Sequence, residues 1–251
     1  MPNKKLLILG GTGEAAQLAR QIVKTFGDRL DVVISYAGVT GHQPDLPCNV
    51  RVGGFGGASG LIEYLKETNI THLIDATHPF AEKISMHGYI AAQSLELPHL
   101  IFTRDEWQAR PGDQWLDAMD METAARHVAD FGVKTFLTIG IKELTVFKGL
   151  TDVALVVRLM NEPDDKLPLA RYEYIVARPP FSVESERQLI RDRQIRLIVA
   201  KNSGGSATSA KLEAARLEGV PVIMVRRPPQ EPVGCTTDID EACQWLGLHG
   251  L

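Results

Sequence analysis

The chain has 251 residues, of which 44% are hydrophobic and 23% are charged, and its formal net charge is −4. This composition is typical of a globular protein, and the mild acidity argues against a nucleic acid as the main partner. No apolar run approaches the roughly 20 residues of a membrane helix, and the N-terminus lacks the apolar core of a signal peptide. Three cysteines without a CxxC pair favour the reducing cytoplasm over a disulfide framework or a zinc site.

Segments that predict strands alternate with segments that predict helices. Short apolar runs predict strands at residues 6–9, 31–35, 72–76, 100–103, 135–139, 153–159, 197–200 and 222–225. Apolar residues at helical spacing predict helices at residues 14–25, 59–67, 81–95, 122–130, 183–193 and 207–217. This alternation predicts an α/β fold with parallel sheets that helices cover on both faces.

A weak internal similarity indicates two related halves. The run at residues 73–76 matches the run at residues 197–200, and residues 97–102 parallel residues 220–225 in the same order. Chance is a competing explanation for matches this short. Their shared order and similar separation nevertheless favour two similar domains.

We therefore predict two Rossmann-like domains with mainly parallel sheets. The boundary is expected near Gly132, after the predicted helix at residues 122–130, so the domains would be residues 1–131 and 132–251. No low-complexity linker lies at this point, which predicts closely joined domains in a monomer.

A glycine-rich turn follows the first predicted strand. Residues 11–16 read Gly-x-Gly-x-x-Ala between a strand and a helix, which is the context of a dinucleotide fingerprint. Glycine lets the backbone approach a pyrophosphate, and the helix N-terminus binds the anion. The alternative is a glycine turn without a ligand. The second predicted strand ends at Ser35 without an acidic residue, which favours NADPH over NADH, although no arginine clamp is evident at this strand end.

Two further segments of the first half carry candidate residues. The cluster at residues 53–57 contains four glycines, which predicts either close approach to a flat cofactor or a mobile surface loop. Residues 75–81 follow a predicted strand at its carboxyl end, where open α/β sheets bind ligands. Asp75 and His78 could hold or move protons there. Thr77 is also expected to cap the next helix, which is compatible with a ligand role.

The second half contains a candidate anion site at residues 201–208, where a lysine, small polar residues and glycines precede a predicted helix. An ordinary capped turn is the alternative. Arg104, Arg178, Arg226 and Arg227 follow strands or turns, and together they suggest a cleft for an anionic ligand, although each alone is more typical of a surface charge. No Tyr-x-x-x-Lys, no Gly-x-Ser-x-Gly and no metal spacing of histidines occurs, so we expect no bound metal.

Five segments together resemble the precorrin-6A reductase family of cobalamin biosynthesis, and the resemblance spans nearly the whole chain. They are residues 9–15, 53–57, 74–81, 177–181 and 201–205. The resemblance implies NADPH-dependent reduction of one macrocycle double bond in precorrin-6A, which gives precorrin-6B. It also implies two Rossmann-like domains with the active cleft between them. The alternatives are an NADH-dependent cobalt-precorrin-6A reductase, a reductase of a small anionic substrate, and a non-catalytic dinucleotide sensor.

Building on this resemblance, we hypothesise a role for each candidate residue. The cofactor pyrophosphate would lie on Gly10, Gly11, Thr12, Gly13 and Glu14, and the adenosine ribose would lie near Ser35. The nicotinamide side would be lined by Gly54, Phe55, Gly56, Gly57, Thr77 and Pro79. The proton would come from Asp75, His78, Lys201 or a bound water. The substrate carboxylates would meet Arg104, Arg178, Asn202, Ser203, Gly204 and Arg227, and Lys201 is a further cation for them.

Overall fold

The computed structural model describes residues 4–38 and 45–250. Its strands, in chain order, are β1 Lys4–Leu9, β2 Leu30–Tyr36, β3 Asn49–Val52, β4 His72–Asp75, β5 His99–Phe102, β6 Trp115–Ala118, β7 Thr135–Thr138, β8 Leu155–Leu159, β9 Tyr172–Val176, β10 Leu197–Lys201, β11 Val222–Val225 and β12 Gly234–Thr236. Its α-helices are α1 Gly13–Phe26, α2 Gly57–Glu67, α3 Glu82–Ser94, α4 Met121–Phe131, α5 Val183–Asp192, α6 Ala210–Glu218 and α7 Ile239–Leu248. Two 3-10 segments are Gly27–Arg29 and Ile141–Phe147. None of the helices in the described ranges is long and apolar enough to cross a membrane.

The chain forms two compact units, each built on one sheet. The first unit is Met1–Asp105 with Pro228–Leu251, and the second unit is Glu106–Arg227. The predicted α/β fold with two parallel sheets is therefore confirmed.

The sheet of the first unit has the order β3-β2-β1-β4-β5-β12, and every neighbouring pair is parallel. Helices α1 and α7 pack on one face, where Leu18 and Leu246 are fully buried. Helices α2 and α3 pack on the other face, where Leu61 and Ala91 are fully buried. Because both faces are covered, the central strand β1 is an unbroken apolar run from Leu6 to Leu9.

The sheet of the second unit has the order β9-β8-β7-β10-β11-β6 and is also parallel throughout. Phe136 on β7, Ile190 on α5 and Leu212 on α6 belong to one buried cluster of this unit. The first sheet has the strand order 3-2-1-4-5-6 of dinucleotide-binding folds. The second sheet has the same arrangement, except that its sixth position is taken by β6, which comes first of its strands in the chain. In each sheet the direction of chain progression reverses between two central strands, β1 and β4 or β7 and β10.

The compact units differ from the predicted domains at residues 1–131 and 132–251. Strand β6 and helix α4 precede the predicted boundary, yet β6 pairs with β11 in the second sheet. Strand β12 and helix α7 lie at the C-terminal end of the chain, yet β12 pairs with β5 in the first sheet. Each half of the sequence thus supplies one edge strand and one helix of the other unit. A division at one point of the chain could not describe this exchange.

The short internal matches in the sequence fall on equivalent strands. The run at residues 73–76 overlaps β4, and the run at residues 197–200 lies in β10, which are the fourth strands of their sheets. Residues 97–102 lead into and include β5, and residues 220–225 do the same for β11. The similarity of the two halves therefore corresponds to the repeated sheet order.

Candidate functional site

The central crevice of the first sheet lies where β1 and β4 end. Ligands bind at such a reversal point in open α/β sheets. The Thr12 hydroxyl accepts a hydrogen bond from Ala15 N at 3.0 Å and caps α1. The same hydroxyl donates to Ala76 O at 3.1 Å, which ties the loop after β1 to the loop after β4. These two hydrogen bonds fix the N-terminal end of α1 beside the crevice between β1 and β4.

The glycines of this loop leave room for a ligand against the backbone. Gly10 packs tightly, since an added Cβ would lie 2.9 Å from Ile34 Cγ1. Gly11 has a φ of +134°, and neither Gly11 nor Gly13 has an atom within 4 Å of the position of a Cβ. The loop therefore needs glycine at Gly10 for close packing and at Gly11 for its conformation, and it offers open space at Gly11 and Gly13.

Glu14 lies in the first turn of α1, next to this space. Its Oε2 accepts a hydrogen bond from Arg104 Nη1 at 2.7 Å. Arg104 follows β5 and was predicted to contact substrate, and the structure brings it to the glycine loop of its own unit. The arginine supplies a positive charge at the end of α1 that partly neutralises Glu14.

An arginine missed in the sequence analysis lies beside Ser35. Arg51 on β3 is the register partner of Ser35 on β2, and its Nη1 donates to Ser35 Oγ at 3.2 Å. Its guanidinium carbon lies 3.8 Å from the centroid of the Phe55 ring and 5.0 Å from that of Tyr64. Because β3 was not predicted as a strand, nothing in the sequence aligned residue 51 with residue 35.

The second glycine cluster forms the turn from β3 into α2. Arg51 donates to Gly53 O at 2.5 Å and to Gly54 O at 2.8 Å. Gly56 caps α2 with a φ of +79°, and Gly57 is the first residue of that helix with a φ of +95°. The cluster follows β3, at the edge of the sheet. It was predicted to line the nicotinamide side with Thr77 and Pro79, but these two residues follow β4, three strands away in the sheet order.

A pocket of about 240 Å³ lies at the ends of β4 and β5. We call it the β4–β5 pocket. It is lined by Asp75, Thr77, His78, Pro79, Glu82, Lys83, Ser85, Met86, Ile101, Phe102, Thr103, Pro228, Pro229, Gln230 and Glu231. Four predicted site residues thus line the same pocket, namely Asp75, Thr77, His78 and Pro79, whereas Ser85 was not singled out from the sequence.

The polar groups of the β4–β5 pocket form an ordered chain. Asp75 is buried, and its Oδ1 accepts from Thr77 N at 3.0 Å and from Thr77 Oγ1 at 2.7 Å. Thr77 Oγ1 lies 3.2 Å from Ser85 Oγ. Thr77 was predicted to cap the following helix, but α3 begins at Glu82 after Ala81, and the Thr77 side chain binds Asp75 instead. Nearby, burial lowers the pKa of His99, and the charge of Asp75 opposes this shift.

In the second unit, Lys201 lies at the end of β10. Its Nζ donates to Glu143 Oε1 at 2.8 Å. Glu143 belongs to the 3-10 segment that follows β7. Strands β7 and β10 are the two central strands of this sheet, so the ion pair occupies the reversal point of the second unit.

Asn202 holds neighbouring segments of the second unit together. Its Oδ1 accepts from Trp107 N at 2.8 Å, and its Nδ2 donates to Glu106 Oε2 and to Trp107 O, each at 3.1 Å. Arg227 Nε donates to Asn202 O at 2.8 Å, and Arg227 Nη2 donates to Ser203 O at 3.0 Å. The side-chain amide of Asn202 is engaged with the protein, and the predicted substrate residues Asn202, Ser203 and Arg227 do come together.

The other predicted residues of the second unit lie apart from or beside this group. Gly204 continues the loop after Asn202 with a φ of +69°. Arg178 follows the edge strand β9, donates from Nε to Met160 O at 3.1 Å and also bonds Asn161 Oδ1. Its strand is separated from β10 by β8 and β7 in the sheet order, so the structure does not group Arg178 with Lys201.

Comparison with known proteins identifies the family. The family model described as Precorrin-6x reductase CbiJ/CobK matches residues 5–247. The precorrin-6A reductase of Rhodococcus erythropolis is 41% identical over 245 residues, which cover 97% of each chain. That of Rhodobacter capsulatus is 38% identical over 247 residues, covering 98% of this chain and 97% of the relative.

The chain belongs to this family.

A solved structure agrees with this assignment. The structure titled CobK precorrin-6A reductase superposes with a TM-score of 0.91 at 36% identity and covers 98% of this chain and 97% of its own. Relatives named cobalt-precorrin-6A reductase match at 26–30% identity. The predicted family and its oxidoreductase class are therefore confirmed.

A precorrin-6x reductase uses a nicotinamide cofactor, and the first unit has features that fit one. The open space at Gly11 and Gly13 suits a pyrophosphate, and the Ser35–Arg51 pair suits the ribose at the end of β2. Across the described residues, no group of three or more His, Cys, Asp or Glu side chains could hold a metal ion.

Proposed function

We propose that the protein uses NADPH to reduce one double bond of the precorrin-6A macrocycle, giving precorrin-6B. The observation that carries the proposal is the match to proteins named precorrin-6A reductase at 36–41% identity over 96–98% of this chain. NADPH supplies the hydride when bound. The role of the protein is to bind the two reactants and to position them.

The choice of NADPH rests on the Ser35–Arg51 pair. An NAD site carries an acidic residue at the end of the second strand, which binds the ribose diol and repels a 2′-phosphate. Here Ser35 occupies that strand end, and Arg51 lies beside it on β3. A guanidinium binds phosphate through paired N–H groups. Its stacking on Phe55 holds it in place for this contact.

The orientation of the cofactor follows from the sheet order. The 2′-phosphate end lies at β2 and β3, and the pyrophosphate lies on Gly10, Gly11, Thr12, Gly13 and Glu14 at the start of α1. The nicotinamide then extends to the other side of the reversal point, over β4 and β5. We therefore assign the nicotinamide to the β4–β5 pocket with Thr77 and Pro79. The cluster Gly54, Phe55, Gly56 and Gly57 belongs to the adenosine side.

The second unit binds the substrate in this proposal. Precorrin-6A carries several carboxylates, and Lys201 offers a cation at the reversal point of the second sheet. Ser203 and Gly204 present the loop after β10, and Arg227 and Asn202 hold that loop in place. Arg178 contributes a further positive charge near the edge of the sheet. The proton that completes the reduction comes from His78, Lys201 or a water, because Asp75 accepts hydrogen bonds in the β4–β5 pocket.

We also propose that the protein acts in the cytoplasm as a monomer. The odd number of cysteines, with no CxxC pair, suits a reducing compartment. Its two units each have their own core, so a second copy is not needed to complete either sheet.

A second candidate is an NADH-dependent cobalt-precorrin-6A reductase. The observation behind it is the match to relatives of that name at up to 30% identity. The Ser35–Arg51 pair and the higher identity to the precorrin-6A reductases favour the first candidate.

The test is anaerobic mixing of the purified protein with NADPH and precorrin-6A, with both chromophores recorded. Loss of NADPH absorbance together with a matching change in the tetrapyrrole spectrum is the expected result. Faster turnover of the cobalt-containing substrate with NADH would favour the second candidate. Binding of NADPH without any turnover of either tetrapyrrole would reject both, in favour of a small-substrate reductase or a dinucleotide sensor.

A further inference from the structure

Three polar groups form a hydrogen-bonded chain along one wall of the β4–β5 pocket. They are the carboxylate of Asp75, the hydroxyl of Thr77 and the hydroxyl of Ser85. Ser85 lies in the first turns of α3, and its backbone N–H donates to Ala81 O at 3.2 Å. The backbone therefore holds Ser85 Oγ at the pocket wall.

The chemistry of these groups fixes the direction of the chain. An ionised carboxylate only accepts hydrogen bonds, and a hydroxyl has one proton to donate. Thr77 Oγ1 gives its proton to Asp75 Oδ1 at 2.7 Å. The contact between Thr77 Oγ1 and Ser85 Oγ at 3.2 Å must then take its proton from Ser85. Ser85 is left with lone pairs and no proton for a ligand in the pocket.

A side chain in the pocket that can only accept hydrogen bonds favours a ligand with an N–H or O–H donor. The nicotinamide carboxamide has such a donor in its NH2 group. We propose that Ser85 recognises the carboxamide of the cofactor by accepting a hydrogen bond from this NH2 group. The inference rests on the proposed function, since it requires the nicotinamide in the β4–β5 pocket. It makes Ser85 a specificity-determining residue, and Thr77 and Asp75 act through it as positioning residues.

The inference is tested with a cofactor analogue that lacks the donor. In the 3-acetylpyridine analogue of NADP⁺, a methyl group replaces the carboxamide NH2. We expect calorimetry to show that the unmodified protein binds NADP⁺ about fivefold more tightly than this analogue, the ratio for one hydrogen bond. In Ser85→Ala the ratio should fall to about one, because NADP⁺ loses the bond and the analogue had none.

Ser94→Ala is the matched control. Ser94 lies at the other end of α3, and its hydroxyl donates to Ile90 O at 2.8 Å, so this variant should keep the ratio of the unmodified protein. Binding of 2′,5′-ADP, which lacks the nicotinamide, should be equal in all three proteins and reports an intact adenosine side. A Ser85→Ala protein that still prefers NADP⁺ would overturn the inference, as would an unmodified protein that binds both dinucleotides equally. Failure of the unmodified protein to bind either dinucleotide would instead overturn the proposed function.

Discussion

The ammonium of Lys201 donates a hydrogen bond to the carboxylate of Glu143 at 2.8 Å, where the two central strands of the second sheet end. The equivalent place in the first sheet holds the glycine loop that begins at Gly10. The second sheet thus has an ion pair where the first sheet has a glycine loop. The pair provides a lysine whose present partner is a carboxylate. A carboxylate of the substrate can replace that partner.

Replacement of Lys201 should therefore impair substrate binding and leave cofactor binding intact. In Lys201→Met, we expect the KM for precorrin-6A to rise about tenfold or more, the range for loss of a charged hydrogen bond. The Kd for NADPH should stay unchanged. Lys142→Met is the control, because Lys142 is exposed and precedes Glu143 directly in the chain. Equal KM values in the two variants would contradict a role of Lys201 in substrate binding.

Arg51 should decide the preference between the two nicotinamide cofactors. In Arg51→Ala, we expect kcat/KM with NADPH to fall by about tenfold or more, since a charged hydrogen bond to the 2′-phosphate is lost. The value with NADH should change little. Arg29→Ala serves as the control, because Arg29 packs over the Phe26 ring at the other end of α1. If activity with both cofactors fell equally, Arg51 would only support the loop through Gly53 and Gly54.

The central strands could be predicted from the sequence, whereas the four edge strands could not. Strands buried on both faces, such as β1 and β10, are continuous apolar runs that stand out from their surroundings. The strands β3, β6, β9 and β12 form the edges of the two sheets and are largely exposed. Their sequences are short and mix polar with apolar residues, so no apolar run indicated a strand there. Because β6 and β12 were not predicted, the sequence could not show that these two strands are exchanged between the units.

The same limit applies to the site residues. The glycine loop follows β1 directly and Asp75 is the last residue of β4, and the sequence located both. Arg51 lies on an edge strand, and its relation to Ser35 exists only through the register of β2 and β3. Ser85 and Glu143 approach their partners through tertiary packing at separations of 8 and 58 residues. No local motif marks such pairs.

Helix α7 should contribute to the stability of the first unit, although it is far in the chain from the other helices of that unit. Leu246 is fully buried in the cluster that α1 forms on the sheet, whereas Leu248 is 85% exposed. Leu246→Ala should lower the free energy of unfolding by about 2–5 kcal/mol, and Leu248→Ala should change it by about 0.5 kcal/mol or less. Urea denaturation of the two variants measures the difference. Equal stabilities would show that α7 does not pack on the first sheet.

The C-terminal end of α7 is also joined to a buried histidine. His72 at the start of β4 is 1% exposed, with Nε2 3.1 Å from His249 O and Nδ1 2.8 Å from Thr71 Oγ1. Burial lowers the pKa of His72, and the hydrogen bond to His249 opposes this shift only in part. The folded protein therefore binds a proton at His72 less readily than the unfolded chain does. Histidine side chains in an unfolded chain have a pKa of about 6.5.

Acidification should consequently destabilise the protein through His72. Above the unfolded pKa neither state binds the proton, and this contribution to stability is constant. As the pH falls below about 6.5, the unfolded state gains protons first, and the free energy of unfolding drops by up to about 1.4 kcal/mol per pH unit. His99, whose pKa is also lowered by burial, adds a second contribution of the same sign. His72→Gln should thus be less sensitive to acid than the unmodified protein between pH 7 and pH 5. Urea denaturation across this range measures both curves, and parallel curves for His72→Gln and the unmodified protein would show that His72 does not titrate on unfolding.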